Sequence, residues 1–106
     1  MLFRSIPSNF SMVEIALIEL LLSKPRKKQK ASIEELNYVL GVKDKNIGLQ
    51  KKVRSESINR INEKFRYMTR NDEPLIWIER SAVDKRYFEY FIPQHLIKMA
   101  NNWIKS

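Results

Sequence analysis

One predicted helix of the chain carries a row of side chains that can exchange hydrogen bonds with a ligand. From Leu49 to Arg70, apolar residues recur at steps of three to five positions, which is typical of a helix with one buried side. At 100° per residue, the opposite side collects hydroxyl, amide, carboxylate and guanidinium groups. Their residues are Ser55, Asn59, Asn62, Glu63, Arg66 and Arg70. Such groups hydrogen-bond base edges and phosphates in nucleic acids.

Basic residues lie close to this helix in the sequence. Lys51, Lys52 and Arg54 crowd its N-terminal part, and the segment from Lys24 to Lys30 holds five basic residues and no acidic one. This segment has three interpretations, which are a phosphate clamp beside the helix, a nucleic-acid arm and a solvated loop. We expect backbone phosphates to be contacted by Lys27, Lys28, Lys30, Lys51, Lys52, Arg54 and Arg70.

The composition restricts the class of protein. With 106 residues, 43% of them hydrophobic, the chain can bury one core, so residues 1–106 are expected to form one domain. The formal charge of +8 favours a polyanionic partner, either nucleic acid or an anionic membrane surface. The apolar run from Met12 to Leu22 is too short to span a bilayer and contains Glu14 and Glu19. We therefore predict a cytoplasmic protein without a membrane partner.

Few residues suit catalysis or cofactor binding. The chain has no cysteine, one histidine, His95, and two glycines, Gly41 and Gly48, which are too few for a phosphate-cradling loop. His95 is interpreted as a surface residue in the first turn of the last helix. The sequence thus predicts no enzyme, no metal site, no cofactor and no small-molecule ligand.

Local signals divide the chain into elements. Two capping boxes, beginning at Ser11 and Ser32, should open helices that end near Ser23 and Leu40, and Gly41 is placed to close the second one. The long third helix follows. Two aromatic-rich strands, Leu75 to Ile78 and Tyr87 to Ile92, should form an antiparallel hairpin whose tip holds Arg80, Lys85 and Arg86. A last helix starts at Pro93, and there is room for a short strand from Lys30 to Ser32.

This order of elements is similar to winged helix-turn-helix proteins, and nearest in pattern to the effector domains of OmpR/PhoB-type response regulators. The matching stretches are Met12 to Leu22, Ser32 to Leu40, Val53 to Phe65 and Leu75 to Ile92. The hairpin lacks the family's glycine-rich turn, and a further helix follows it. The resemblance implies an α+β, mostly helical fold with a three-helix core and a hairpin wing in residues 11–92, followed by a C-terminal helix in residues 93–106.

The resemblance also implies that the third helix enters the major groove of duplex DNA. Base contacts would then come from Ser55, Asn59, Asn62, Glu63 and Arg66. Asn59 or Asn62 could pair with adenine, Arg66 with guanine or a phosphate, and Glu63 with a cytosine amino group. Because carboxylates repel phosphate, our interpretation of Glu56 and Glu63 is that each forms an ion pair at helical spacing.

The function predicted from these features is sequence-specific binding of double-stranded DNA by a transcriptional regulator. In this prediction Arg80, Lys85 and Arg86 of the wing contact the neighbouring backbone or minor groove. The alternatives are a winged-helix module for protein partners and the DNA-binding part of a replication initiator. Leu96, Trp103 and Ile104 of the last helix either complete the core or pair with a second copy, which would make a homodimer through residues 94–104.

Overall fold

Capping residues set the start of the first two helices in the computed structural model, which describes residues 10–24 and 30–105. Helix α1 covers Met12–Leu22, and the Ser11 hydroxyl accepts a hydrogen bond from the Glu14 amide at 3.2 Å. The Ser11 amide in turn donates to the Glu14 carboxylate at 2.9 Å. Helix α2 covers Ile33–Val39 and begins with the same reciprocal pair between Ser32 and Glu35. These hydrogen bonds confirm both predicted capping boxes. Each box satisfies amides that a helix leaves free at its start.

The connection between α2 and the next helix depends on one glycine and one asparagine. Gly41 has a φ of 75°, in the left-handed region that glycine adopts without steric cost, and it ends α2 as predicted. Helix α3 covers Ile47–Thr69, and the Asn46 side chain caps it by accepting from the Leu49 amide at 2.8 Å. With 23 residues, α3 is about 35 Å long.

The strands form one three-stranded antiparallel sheet in the order β1, β3, β2. Strand β1 is Lys30–Ser32, β2 is Trp77–Arg80 and β3 is Phe88–Phe91. The short strand and the antiparallel hairpin are confirmed. The first strand of the hairpin starts two residues later than predicted, because Leu75 and Ile76 are buried and Ile76 bonds to a side chain of α3 rather than to a strand.

The core lies between the helices and one face of the sheet. Helix α1 contacts α2, β1 and the last helix, α4, which covers Gln94–Lys105. Only one side of α1 is fully buried, since Met12 and Val13 are exposed. The largest of the fully buried side chains in the described residues are Phe65, Leu17, Ile18, Leu21, Leu36, Ile61, Leu75, Ile76 and Ile92. The described residues therefore form a compact α+β fold, which confirms the predicted class.

Helix α4 uses its apolar side within the chain. Leu96 and Ala100 are buried, and the Trp103 ring lies 5.3 Å from the ring of Phe65 in α3. Leu96 and Trp103 thus complete the core, which was one of the two roles expected for them. A homodimer through residues 94–104 stays a prediction, and it would have to use the exposed side of α4, where Met99 lies. No helix among the described residues has the length and apolarity to cross a bilayer.

A buried carboxylate joins α1 to α3. Glu14 is buried, and its carboxylate accepts a hydrogen bond from Lys64 Nζ at 2.7 Å and lies 3.4 Å from Arg60 Nε. Burial acts to raise the pKa of Glu14, but the hydrogen bonds from Lys64 and the Ser11 amide and the two nearby positive charges outweigh it. The pKa of Glu14 is therefore lowered.

We expect acid to destabilise the fold through this group. Because the pKa of Glu14 is lower in the folded chain than its ordinary value of 4.5, the stabilisation is present above about pH 4.5 and is lost as the pH falls through the folded pKa. The pKa of Glu35, which pairs with Lys24, is lowered in the same direction. Urea unfolding between pH 7 and pH 2.5 should show the loss. Glu14→Gln should be less stable at pH 7 and less sensitive to acid, and an unchanged pH dependence in this variant would contradict the assignment.

Candidate nucleic-acid interface

The outward side of α3 presents a row of polar residues. Ser55, Asn59, Glu63 and Arg66 are all exposed, while Ile58, Ile61 and Phe65 are buried on the other side of the helix. At 1.5 Å per residue, the row from Ser55 to Arg66 is roughly 17 Å long. The helix therefore places these four predicted base-contacting residues on its solvent side.

The fifth predicted base-contacting residue, Asn62, does not lie on the solvent side, so the prediction for it is wrong. Asn62 is only 7% exposed, its Nδ2 donates to the carbonyl oxygen of Ile76 at 3.1 Å, and its Oδ1 accepts from the Ile76 amide at 2.9 Å. Both hydrogen-bonding groups of the side chain thus serve the segment that leads into β2. The sequence contains a signal for this, because Asn62 is four residues after Ile58 and three before Phe65, and those spacings place it beside core residues.

Arg54 is a second correction. Its side chain is half-buried, and Nη1 donates to Oδ1 of the buried Asn37 in α2 at 2.9 Å. The Arg54 Nε is buried as well and has no hydrogen-bond partner among the described residues. The guanidinium group is therefore turned towards α2, where it fixes the position of α3, and it is not presented to a phosphate.

Other cations remain accessible around the row. Lys51 and Lys52 near the start of α3 and Arg70 at its end are exposed, which a phosphate contact would require. Arg70 ends the helix in the left-handed conformation, with a φ of 56°. Arg66 donates from Nε to the carbonyl oxygen of Asp72 at 2.9 Å, which holds its side chain against the turn after α3.

Two lysines of the turn before α3 were not among the predicted phosphate contacts. Lys43 and Lys45 are exposed, and Lys43 Nζ lies 5.2 Å from the centre of the Tyr38 ring. Their place in the short connection between α2 and α3 was the signal that could have indicated them. Lys30 is exposed on β1, where it pairs with Glu79. Lys27 and Lys28 lie outside the described residues.

The prediction that Glu56 and Glu63 form ion pairs is wrong for the described residues. Glu56 and Glu63 are exposed, and neither forms an ion pair within the part of the chain that the structure describes. Arg60, one of the expected partners, lies beside Glu14 instead. The carboxylates of Glu56 and Glu63 therefore face solvent, so in a DNA complex they would have to meet base edges, where a cytosine amino group can donate to them.

The turn of the hairpin is held by its own side chains. The Ser81 hydroxyl accepts from the amides of Val83 and Asp84 at 3.2 and 3.3 Å. Arg86 donates from Nη2 to Asp84 Oδ2 at 2.7 Å, and this contact lowers the pKa of Asp84 and raises that of Arg86. Two of the three predicted wing cations thus also organise the turn, since Arg80 Nη1 donates to the carbonyl oxygen of Lys85 at 2.7 Å.

The hairpin also exposes apolar side chains. Val83, at its tip, is 96% exposed, and Ile78, Tyr87 and Phe88 are exposed along the strands and the turn. Arg80 lies over the Phe88 ring, with its guanidinium carbon 4.9 Å from the ring centre. The hairpin is therefore a mixed surface with both basic and apolar groups.

Among residues 10–24 and 30–105, no three histidine, cysteine or acidic residues converge in a way that could hold a metal ion. His95 is exposed in the first turn of α4, where Nε2 lies 2.5 Å from the Glu73 carboxylate. Comparison with protein-family models, curated proteins and solved structures finds no match to the chain.

Proposed function

We propose that the chain is a winged-helix protein that binds duplex DNA sequence-specifically and acts as a cytoplasmic transcriptional regulator. In this proposal α2 and α3 are the two helices of a helix-turn-helix, and the β2–β3 hairpin is the wing. The order of the elements, with β1 between α1 and α2 and a hairpin after α3, supports it.

The observation that carries the proposal is the division of α3 into two sides. One side supplies Ile58, Ile61 and Phe65 to the core, and the other presents hydroxyl, amide, carboxylate and guanidinium groups to solvent. Hydrogen-bonding groups of this kind read base edges in a major groove. The groove is about 12 Å wide, which matches the diameter of an α-helix with its side chains.

The charge around α3 supports a polyanionic partner. Lys43, Lys45, Lys51 and Lys52 are exposed at its N-terminal end, and Arg70 is exposed at its C-terminal end. Cations at both ends of a row of base-reading groups fit phosphates on the two sides of a groove. The formal charge of +8 points in the same direction.

A fluorescence-anisotropy titration tests the proposal. The labelled ligands are a randomised duplex pool and a matched single strand, each at several salt concentrations, and the bound duplexes are sequenced. We expect enriched duplex sequences, weak binding of the single strand, and a slope of about −4 to −5 in log K against log salt if roughly five phosphates are contacted. Absence of duplex binding at low salt would refute the proposal.

Two substitutions separate base contacts from phosphate contacts. Asn59→Ala should relax the preference at one base pair and cost about 1 to 3 kcal/mol on the enriched duplex, because it removes a side chain that reads a base edge. Lys51→Ala should weaken all duplexes alike and reduce the salt slope by about one, because it removes a single phosphate contact. Competition titrations with point-mutated duplexes measure both effects. Identical behaviour of the two variants would show that these roles are misassigned.

A protein partner is the second candidate, and the exposed apolar residues of the hairpin favour it. Val83, Ile78 and Tyr87 are exposed apolar side chains of the kind that protein partners cover and that contact with a DNA backbone does not require. If the chain binds neither duplex nor single strand, the hairpin is the surface to test next. Val83→Lys would then abolish capture of the partner, whereas Asn59→Ala would leave it unchanged.

A further inference from the structure

The first turn of α3 is exposed to solvent. Ile47, its first residue, is 81% exposed, Gly48 and Leu49 are exposed as well, and the first buried residue of the helix is Ser57. The ten residues from Ile47 to Glu56 correspond to about 15 Å of helix with no fully buried side chain. The start of α3 is thus accessible to another molecule.

The composition of this turn does not favour helix stability. It has no acidic residue, although carboxylates stabilise the N-terminal turn of a helix. Instead it holds the β-branched Ile47 and Gly48, both weaker helix formers than alanine. The cap at Asn46 is the stabilising feature at this end. Neither the apolar side chain nor the glycine is explained by what helps a helix to begin.

Gly48 is not required by the fold of the described chain. Gly41 adopts a positive φ, which explains that glycine, but Gly48 does not. A Cβ at position 48 would meet the Asn46 Oδ1 at 3.4 Å as its nearest neighbour, which is close to ordinary contact distance. Glycine also allows another molecule to approach the backbone closely. The helix therefore has a bare stretch of backbone beside an exposed isoleucine.

The surroundings of Ile47 and Gly48 indicate which molecule fits there. Lys43, Lys45, Lys51 and Lys52 are exposed around this turn, against a single acid in the preceding connection, Asp44. An exposed apolar side chain with exposed lysines just before it and about one turn after it complements an apolar group within a polyanion. In duplex DNA the group of that kind is the 5-methyl of thymine, which lies in the major groove.

We propose that the first turn of α3 is a specificity-determining contact in which Ile47 packs on a thymine methyl and Gly48 lets the helix come close enough to the bases. This inference rests on the proposed binding of duplex DNA. Ile47 lies 18 residues before Phe65, so it points in the same direction as the buried side of α3 and not in the direction of the row from Ser55 to Arg66. The contact therefore requires the N-terminal end of α3 to enter the groove.

Replacing thymine by uracil tests the contact, because uracil differs from thymine only by the missing methyl. In the duplex enriched by the wild type, each thymine is replaced singly by uracil and affinity is measured by anisotropy. We expect about a threefold to tenfold loss at one position for the wild type. Ile47→Ala should bind the thymine and uracil duplexes equally, and Val83→Ala, which shortens an exposed side chain on the hairpin, should keep the wild-type ratio.

Gly48→Ala provides a second test, in which stability and duplex binding should change in opposite directions. Alanine should raise the melting temperature, because the helix gains propensity and the site has room for a Cβ. The same variant should weaken duplex binding several-fold, since the added methyl group holds the bases away. A purely structural role for Gly48 predicts that stability and binding change together.

The outcomes distinguish this inference from the proposed function. If the wild type binds no duplex, the proposed function fails and the contact fails with it. If the wild type binds an enriched duplex but is indifferent to every thymine-to-uracil change, or if Ile47→Ala keeps the wild-type ratio, the contact alone is overturned. The exposed turn would then remain as a surface for a protein partner.

Discussion

Replacing Asn62 by alanine should destabilise the fold by about 2 to 4 kcal/mol, although the residue lies on the helix proposed to bind DNA. The Asn62 side chain satisfies both the amide and the carbonyl oxygen of Ile76, which is 2% exposed. Alanine would leave both backbone groups buried without a partner, and each such group costs about 1 to 3 kcal/mol. Part of the loss is recovered where water reaches the vacated space.

Urea unfolding measures this effect, with tryptophan fluorescence as the signal because Trp103 lies against the core. The matched control is Asn59→Ala, which makes the same chemical change one turn earlier on the exposed side of α3. We expect the control to stay within about 0.5 kcal/mol of the wild type. Equal stability of the two variants would show that the Asn62 hydrogen bonds do not hold the segment before β2.

Phe65→Ala should have a still larger effect, a loss of about 3 to 5 kcal/mol in the free energy of unfolding. Phe65 is 1% exposed, and its ring packs 5.3 Å from that of Trp103, so the substitution opens a cavity between α3 and α4. A small domain has roughly 5 to 15 kcal/mol of stability in total. The substitution should therefore remove a large fraction of the total stability.

Circular dichroism during thermal unfolding checks this prediction. Tyr67→Ala is the control, since Tyr67 is on the same helix but is 85% exposed, and it should melt within a few degrees of the wild type. Trp103 fluorescence should shift to longer wavelength in Phe65→Ala, because the ring loses its covered environment. A melting temperature unchanged in Phe65→Ala would mean that α4 does not depend on this contact.

The features that follow from neighbouring residues could be read from the sequence. The capping boxes at Ser11 and Ser32 join residues three positions apart, so the pattern itself contains both partners. The left-handed Gly41 and the apolar period of α3 are local in the same way. The order of helices and strands was predictable for this reason, with errors of a few residues at the ends of the strands.

The contacts that orient the candidate interface join residues far apart in the sequence. Asn62 meets Ile76, Arg54 meets Asn37, and Lys64 meets Glu14. No periodicity of one segment shows what the facing segment offers, so Asn62 and Arg54 were assigned to DNA contacts and Lys64 was left without a role. The role of a residue at the boundary of a helix face is the hardest to predict from sequence, because a neighbouring element decides whether its side chain is covered.

Strand β1 can pair only late in folding, because its partner strand lies far from it in the sequence. Lys30, Ala31 and Ser32 pair only with β3, and Ser32 is also the cap that starts α2. The hairpin of β2 and β3 closes over a short loop, whereas β1 has to find a partner near the other end of the described chain. During synthesis on a ribosome, α1, α2 and α3 emerge before the hairpin, so they can form before the sheet is complete. Only when Phe91 has emerged can β1 pair along its whole length, and this pairing ties the residue that caps α2 to the sheet.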